Sequence, residues 1–537
     1  MNYEFFLDLH GGRAAVVENM TPEQRAALRI DTPLAAFITT AASEGTPSHI
    51  VITGNAGDGK TFAALQADAP GMTVIVDASA RMEADPAGLD PIEALANRIA
   101  SVLSANGRLL LAINRGQLDR LARFCRGRPG HPAASFAALA TEGARTRPQW
   151  DPGHSMADVT VIDLGLFDTT GGSVLDAMLD NASVVAVTDL SPQTLKVVEA
   201  AQCALRTPHV RAWVKRVVLE VAARGGHLTM RQLWSFVAFL LTGGRAADSQ
   251  SPPSLADSVG ARLFRYEDAL MFEDAILAID PAYHRPRPDL ARKLLIGSLA
   301  GPVQALVGLT LTEADRGEDI MRALSVHDPG CAPPDGIDNY QKLADILRQL
   351  PPGWVQKPMI AKQLLQGVYK TLRLWQVGGT FPAWQALCYD SSRLRHEGAL
   401  EAATAANASI DPARLRLALP RAHPSAEAAL EGAWRPPHIW LAFGHGTLEH
   451  GAEKGAGDAL RLTPRLFRAL HTPESQILDP LSPSELLSME RWLARAPRAL
   501  DGDGIRVSRA SARPLRVTQD DLSEKTRIEW EGPDAAA

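Results

Sequence analysis

Residues 50–61 read Ile-Val-Ile-Thr-Gly-Asn-Ala-Gly-Asp-Gly-Lys-Thr. An apolar run from His49 to Thr53 has the length and composition of a buried strand. The helical pattern Thr61–Gln66 follows the glycines directly, so the chain must pass from strand to helix inside the loop. Gly54, Gly59, Lys60 and Thr61 stand in the spacing G-x-x-x-x-G-K-[ST]. Gly54, Gly57 and Gly59 allow a tight turn that brings backbone N–H groups close to an anion. The following helix turns its positive end to the same place. Lys60 supplies a point charge for β- and γ-phosphates, and the Thr61 hydroxyl a ligand for Mg2+. The residues therefore predict a nucleoside triphosphate with Mg2+, held by Gly54, Asn55, Ala56, Gly57, Asp58, Gly59, Lys60 and Thr61. The bland alternative is a glycine-rich turn beside an exposed lysine. Asp58 sits where a carboxylate would repel phosphate, so its side chain is expected to point outward or to cap a turn, with no catalytic role.

Around this loop the pattern alternates. Strand-like runs occur at His49–Thr53, Met72–Asp77, Arg108–Ile113, Val159–Leu164 and Val184–Thr188, with helical patterns between several of them, most clearly Pro91–Leu103 and Gln117–Phe124. Short apolar strands separated by helices predict an α/β fold, a P-loop NTPase parallel sheet flanked by helices. Ligands then bind beyond the carboxyl ends of the strands. A chain of 537 residues should form about two to four domains. The reading is an N-terminal helical segment over 1–45, a P-loop core over 46–205, a helical lid over 206–300, a helical region over 301–435 and a small mixed terminal module over 436–537. Within the lid, Val210–Ala223 is amphipathic, and Thr229-Met-Arg-Gln232 opens a second helix with a capping box that Gly243-Gly244 stops. Residues 245–258 are polar and read as a mobile loop. Further helices are expected at Tyr266–Ala278, Asp289–Leu299, Gln341–Leu350 and Pro358–Trp375, and short strands at Ile505–Val507 and Leu515–Val517.

Composition narrows the partners. A net charge of −6 gives no global basic excess, so any nucleic-acid contact needs a local patch or a partner protein. Cys125, Cys203, Cys331 and Cys388 are far apart and predict neither a zinc site nor a disulfide framework. The N-terminus does not read as a signal peptide, and no run approaches the ~18 apolar residues of a membrane span. The expectation is a cytoplasmic protein with reduced thiols and no membrane association.

Other residues bear on the chemistry. The strand Arg108–Ile113 ends in Asn114, which either faces a ligand beyond the strand ends or caps the helix that follows. Asp77, at the end of Met72–Asp77, is the favoured metal-binding carboxylate, with Asp163 as the alternative; neither is followed by a glutamate. Arg231 opens a lid helix, where a cation is mildly unfavourable unless it has another task. Arg115, Arg120, Arg123, Arg126 and Arg128 cluster as a finger for a neighbouring subunit, a contact for a phosphate backbone, or a solvated helix face.

Taken together, Gly-Asn-Ala-Gly-Asp-Gly-Lys-Thr, Leu-Leu-Leu-Ala-Ile-Asn and Thr-Met-Arg-Gln-Leu resemble bacterial AAA+-type ATPases over roughly residues 46–300. More narrowly they resemble the ATPase subunits of phage-defence systems, including those tied to phosphorothioation-dependent restriction. The resemblance implies an ATPase in which Lys60, Asn114 and Arg231 act in catalysis and Thr61 and Asp77 hold Mg2+. It implies ATP-driven remodelling or gating within a defence complex, with a nuclease or helicase partner, DNA, and a homo-oligomer as candidate assemblies. The absent Asp-Glu pair keeps open a slowly hydrolysing switch or scaffold that recruits an effector. A small-molecule kinase is the remaining alternative.

Overall fold

The computed structural model describes residues 3–10, 20–67, 69–76, 89–151, 156, 158–166, 172–186, 188–266, 270–284, 300–309, 311, 317–336, 338–372, 374, 381, 412–429, 435–443, 459–472, 481–493, 505–507, 515–519 and 526–530. The chain divides into two compact units. The first comprises Met1–Arg145, Gly153–Asp338 and Ala422–Arg435, and the second Thr146–Pro152, Asn339–Arg421 and Pro436–Ala537. Apart from Thr146–Pro152, the expected core and lid both lie in the first unit.

The first unit is α/β and holds a four-stranded parallel sheet. Its strands are β1 (His49–Thr53), β2 (Met72–Ile75), β3 (Arg108–Ala112) and β4 (Val159–Asp163), in the order β2–β3–β1–β4. In register, Ile50 stands between Leu110 and Thr160, and Thr53 lies opposite Asp163. Parallel neighbours require crossovers, and helices supply them: α4 (Lys60–Gln66) leads from β1 to β2, α5 (Pro91–Ser104) from β2 to β3, and α6 (Arg115–Arg126) with α7 (Ala134–Gly143) from β3 to β4. The two-residue period of a strand sends Val51, Leu109, Leu111, Val159 and Val161 to one face. There they pack on Leu95 and Ile99 of α5, Leu118 and Leu121 of α6, and Phe136 and Ala140 of α7. On the other side α4 contacts β1, β3 and α3 (Pro33–Glu44). Arg108 ties the first residue of β3 to the end of α3, donating to the carbonyls of Ala41 and Ala42 at 2.7 Å each. β1 is central, and Ile50, Val51 and Ile52 are wholly buried.

Four helices follow: α8 (Gly172–Ser183), α9 (Pro192–Arg206), α10 (Pro208–Ala223) and α11 (Met230–Thr242). They pack on one another, with α1 (Tyr3–His10) laid against α11. The α11 boundaries follow local chemistry. Thr229 and Gln232 form both halves of a capping box, and Gly243 ends the helix at φ 61°.

The structure departs from the sequence reading at two places. The run Val184–Thr188 forms no strand in its described residues. The Val185 carbonyl accepts from Gln202 Nε2 at 2.7 Å, so a side chain on α9 takes the place of a neighbouring strand. Residues 245–258 are tied down rather than free: Ser191 and Thr194 at the start of α9 bond the carbonyls of Ala246, Ala247 and Ser249 at 2.6–3.0 Å. The helix expected at Asp289–Leu299 lies outside the described residues.

In the second unit, helices Asn339–Arg348, Pro358–Thr371 and Pro464–His471 accompany an antiparallel sheet of β5 (Leu415–Ala418), β6 (Ile439–Phe443) and β7 (Leu460–Leu462). Gly367 lets the last two helices approach closely, since a Cβ there would collide with the Leu470 carbonyl oxygen. β8 (Ile505–Val507), β9 (Leu515–Gln519) and β10 (Thr526–Trp530) form a second antiparallel sheet. Among the described residues no helix is long and apolar enough to cross a membrane.

Candidate functional site

At the carboxyl end of β1 the chain turns through residues 54–59 and enters α4 at Lys60. The turn needs backbone that L side chains rarely adopt: φ is 143° at Gly54, 89° at Gly57 and 90° at Gly59. Space is equally tight, for a Cβ on Gly54 would stand 2.7 Å from Asp58 Oδ2. Among the described residues, no acceptor takes the backbone N–H groups of Gly57, Gly59, Lys60 and Thr61. Lys60 is only 8% exposed. Its ammonium donates to the carbonyls of Asn55 and, at 3.4 Å, Gly54. Burial lowers its pKa, opposed by the charges of Asp58 and Asp163 and reinforced by Arg231. The cluster of unpaired donors over a desolvated ammonium is suited to an anion with several oxygens.

Asp58 corrects one expectation. It does not point outward: its residue is 3% exposed. One carboxylate oxygen accepts the Asn55 N–H at 2.6 Å, which is the turn-capping half of the expectation. The other accepts from His227 Nε2 at 2.9 Å. The sequence gives His227 no role of its own, because nothing local to it announces a partner 169 positions away.

The start of α11 lies against the same loop. Arg231 donates its backbone N–H to the Gly57 carbonyl at 3.2 Å. Thr229 and Met230 come so near Gly57 and Gly59 that added Cβ atoms would meet them at 3.2 Å. The Arg231 side chain itself is exposed.

β3 delivers Asn114 beside the loop. The Ile113 N–H donates to Ile52 at 2.9 Å and the Arg115 N–H to Gly54 at 3.2 Å, which extends the β1–β3 pairing past the strand ends. Asn114 holds the N-cap position of α6, yet its side chain makes no capping hydrogen bond. Asp163, at the end of β4, is already engaged: Oδ2 pairs with Arg115 Nη1 at 2.7 Å and Oδ1 accepts the Gly165 N–H at 2.9 Å. Of the arginine cluster, Arg115 thus belongs to the site and Arg128 pairs with Glu93 at 2.6 Å, while Arg120, Arg123 and Arg126 lie exposed on α6.

A metal would need oxygen ligands. Thr61 Oγ1 donates to the Val76 carbonyl at 3.2 Å, which orients the hydroxyl and leaves its lone pairs available. Val76 immediately precedes Asp77 in the chain; Asp77 itself lies outside the described residues. Among the described residues no cluster of His, Cys, Asp and Glu could hold a metal by itself, and the hard oxygen of Thr61 suits Mg2+ shared with phosphate. Compared with known proteins, the chain matches no family model, no curated protein and no solved structure.

Proposed function

We infer that the first unit binds Mg-ATP at residues 54–61 and acts as an ATPase. The observation that carries this reading is the loop itself: it leaves an interior strand of a parallel sheet, turns through positive-φ glycines, and collects N–H groups that no described residue accepts around a buried lysine. When bound, Mg-ATP supplies an activated phosphoanhydride whose terminal phosphoryl group can pass to water. The chain's own residues would do the rest. Gly57, Gly59, Lys60 and Thr61 donate to phosphate oxygens, and the Lys60 ammonium exchanges two neutral carbonyls for charged partners. Thr61 and Asp77 are the proposed metal ligands. Asn114, whose amide is not spent on capping, would orient the attacking water. Arg231 would add positive charge from the lid side.

The resemblance given above extends this reading to a protein that drives or gates a bacterial phage-defence complex acting on DNA, with a nuclease or helicase partner. A switch that hydrolyses slowly is the second reading, favoured by the alanine at position 78, where a catalytic glutamate would stand. Equilibrium binding of a fluorescent ATP analogue, followed by steady-state hydrolysis with and without DNA, tests both. Failure to bind removes the ATPase and the switch together. Binding with turnover supports the ATPase, and binding without turnover under every condition supports the switch.

A further inference from the structure

Asp58 is an unusual component for an anion-binding loop. Its side chain is 1% exposed, and a carboxylate taken so far out of water must be compensated. Within the loop it has the Asn55 N–H. The nearby Lys60 ammonium directs its hydrogen bonds to the carbonyls of Gly54 and Asn55 instead. The second hydrogen bond comes from outside, from His227 at 2.9 Å. That residue follows Gly225-Gly226 and belongs to the stretch that sets Thr229, Met230 and the Arg231 N–H against Gly57 and Gly59. The loop is therefore gripped at successive positions by one short segment at the start of α11.

We propose that His227 is a positioning residue for the phosphate loop: its Nε2–H, donated to Asp58, holds that carboxylate inside the loop and away from a bound triphosphate, and so couples loop geometry to the start of α11. Without this donor the carboxylate would turn toward water, on the side where phosphate oxygens must lie, and the two anions would repel. The role of Asp58 then follows. It braces the turn through Asn55 and tethers it through His227, and it tolerates a nearby triphosphate only while both bonds hold. This rests on the nucleotide-binding reading above.

The test is a mutant cycle on the full chain, read as the Kd for a fluorescent ATP analogue at fixed pH and salt. The parent must bind first; if it does not, the nucleotide reading falls before His227 is in question. With binding established, His227→Ala is expected to weaken it about tenfold. His227→Gln, whose amide can donate from nearly the same place, should recover most of that loss. Adding Asp58→Asn to His227→Ala should restore binding to within about threefold of the parent, because no charge is left to restrain. Should His227→Ala fail to fold by circular dichroism, His227→Asn is read in its place, since its shorter side chain cannot reach Asp58. Parent-like binding by the variant lacking the donor overturns the proposal. So does an Asp58→Asn double variant that binds no better than the single one.

Discussion

At the residue scale the site turns on desolvated charge. Lys60 is buried beside Asp58 and Asp163, and burial lowers its pKa. A triphosphate would relieve that penalty, so the lysine has more to gain from the anion than an exposed one would. Lys60→Ala should weaken ATP binding at least about 100-fold, near 3 kcal/mol, as measured by equilibrium titration. Retained tight binding would remove the site. Asn114 is the opposite kind of residue, neutral and uncommitted to its helix cap. If it orients water, Asn114→Ala should lower kcat about 100-fold while the Kd for ATP stays within a few-fold. If it serves only the helix, Tm should fall and kcat should not.

At the scale of elements, α11 shows what can be read locally and what cannot. Thr229, Gln232 and Gly243 mark its ends through contacts a few residues apart, and the capping box forms as the pattern requires. β1 and β3 were equally legible, because Ile50–Ile52 and Leu109–Leu111 are apolar without interruption and the sheet buries both their faces. Val184–Thr188 carries the same signature and forms no strand in its described residues. A short apolar run states only that it wants burial, and here the Val185 carbonyl accepts from the Gln202 side chain instead of from a strand. The pairing of His227 with Asp58 was hidden for a related reason, since it arises only when α11 docks on the loop. The same docking makes α11 testable as a unit. Thr229→Ala removes the capping box and should cost about 1 kcal/mol of stability in thermal or urea unfolding. Arg231→Ala touches no cap and leaves the N–H to Gly57 in place. It should lower ATP turnover with little change in Tm, and turnover equal to the parent would take Arg231 out of the proposed chemistry.

At the scale of the whole first unit, stability should depend on acid through a residue remote from the loop in sequence. His327 ends the helix Gly317–His327 and is 5% exposed. Its Nε2 accepts the Gly260 N–H at 3.4 Å, and its carbonyl accepts from His209 Nε2 at 2.6 Å. Burial, reinforced by His209, lowers its pKa from 6.5 to about 4. The neutral ring is thus the form that folding accommodates, whereas the unfolded chain takes up a proton near pH 6.5. The sign follows: the contribution is fully present above 6.5 and is lost as the pH falls through that value toward about 4. A shift of this size corresponds to about 3 kcal/mol. His327→Gln carries no titrating ring, and its amide oxygen can still accept from Gly260. Urea unfolding of the parent should therefore lose stability relative to His327→Gln between pH 6.5 and 4, with the gap widest at the acid end. Two parallel stability curves over that range would mean that the unfolded chain and the folded unit hold this proton equally well, and that the acid response of the fold originates in other groups.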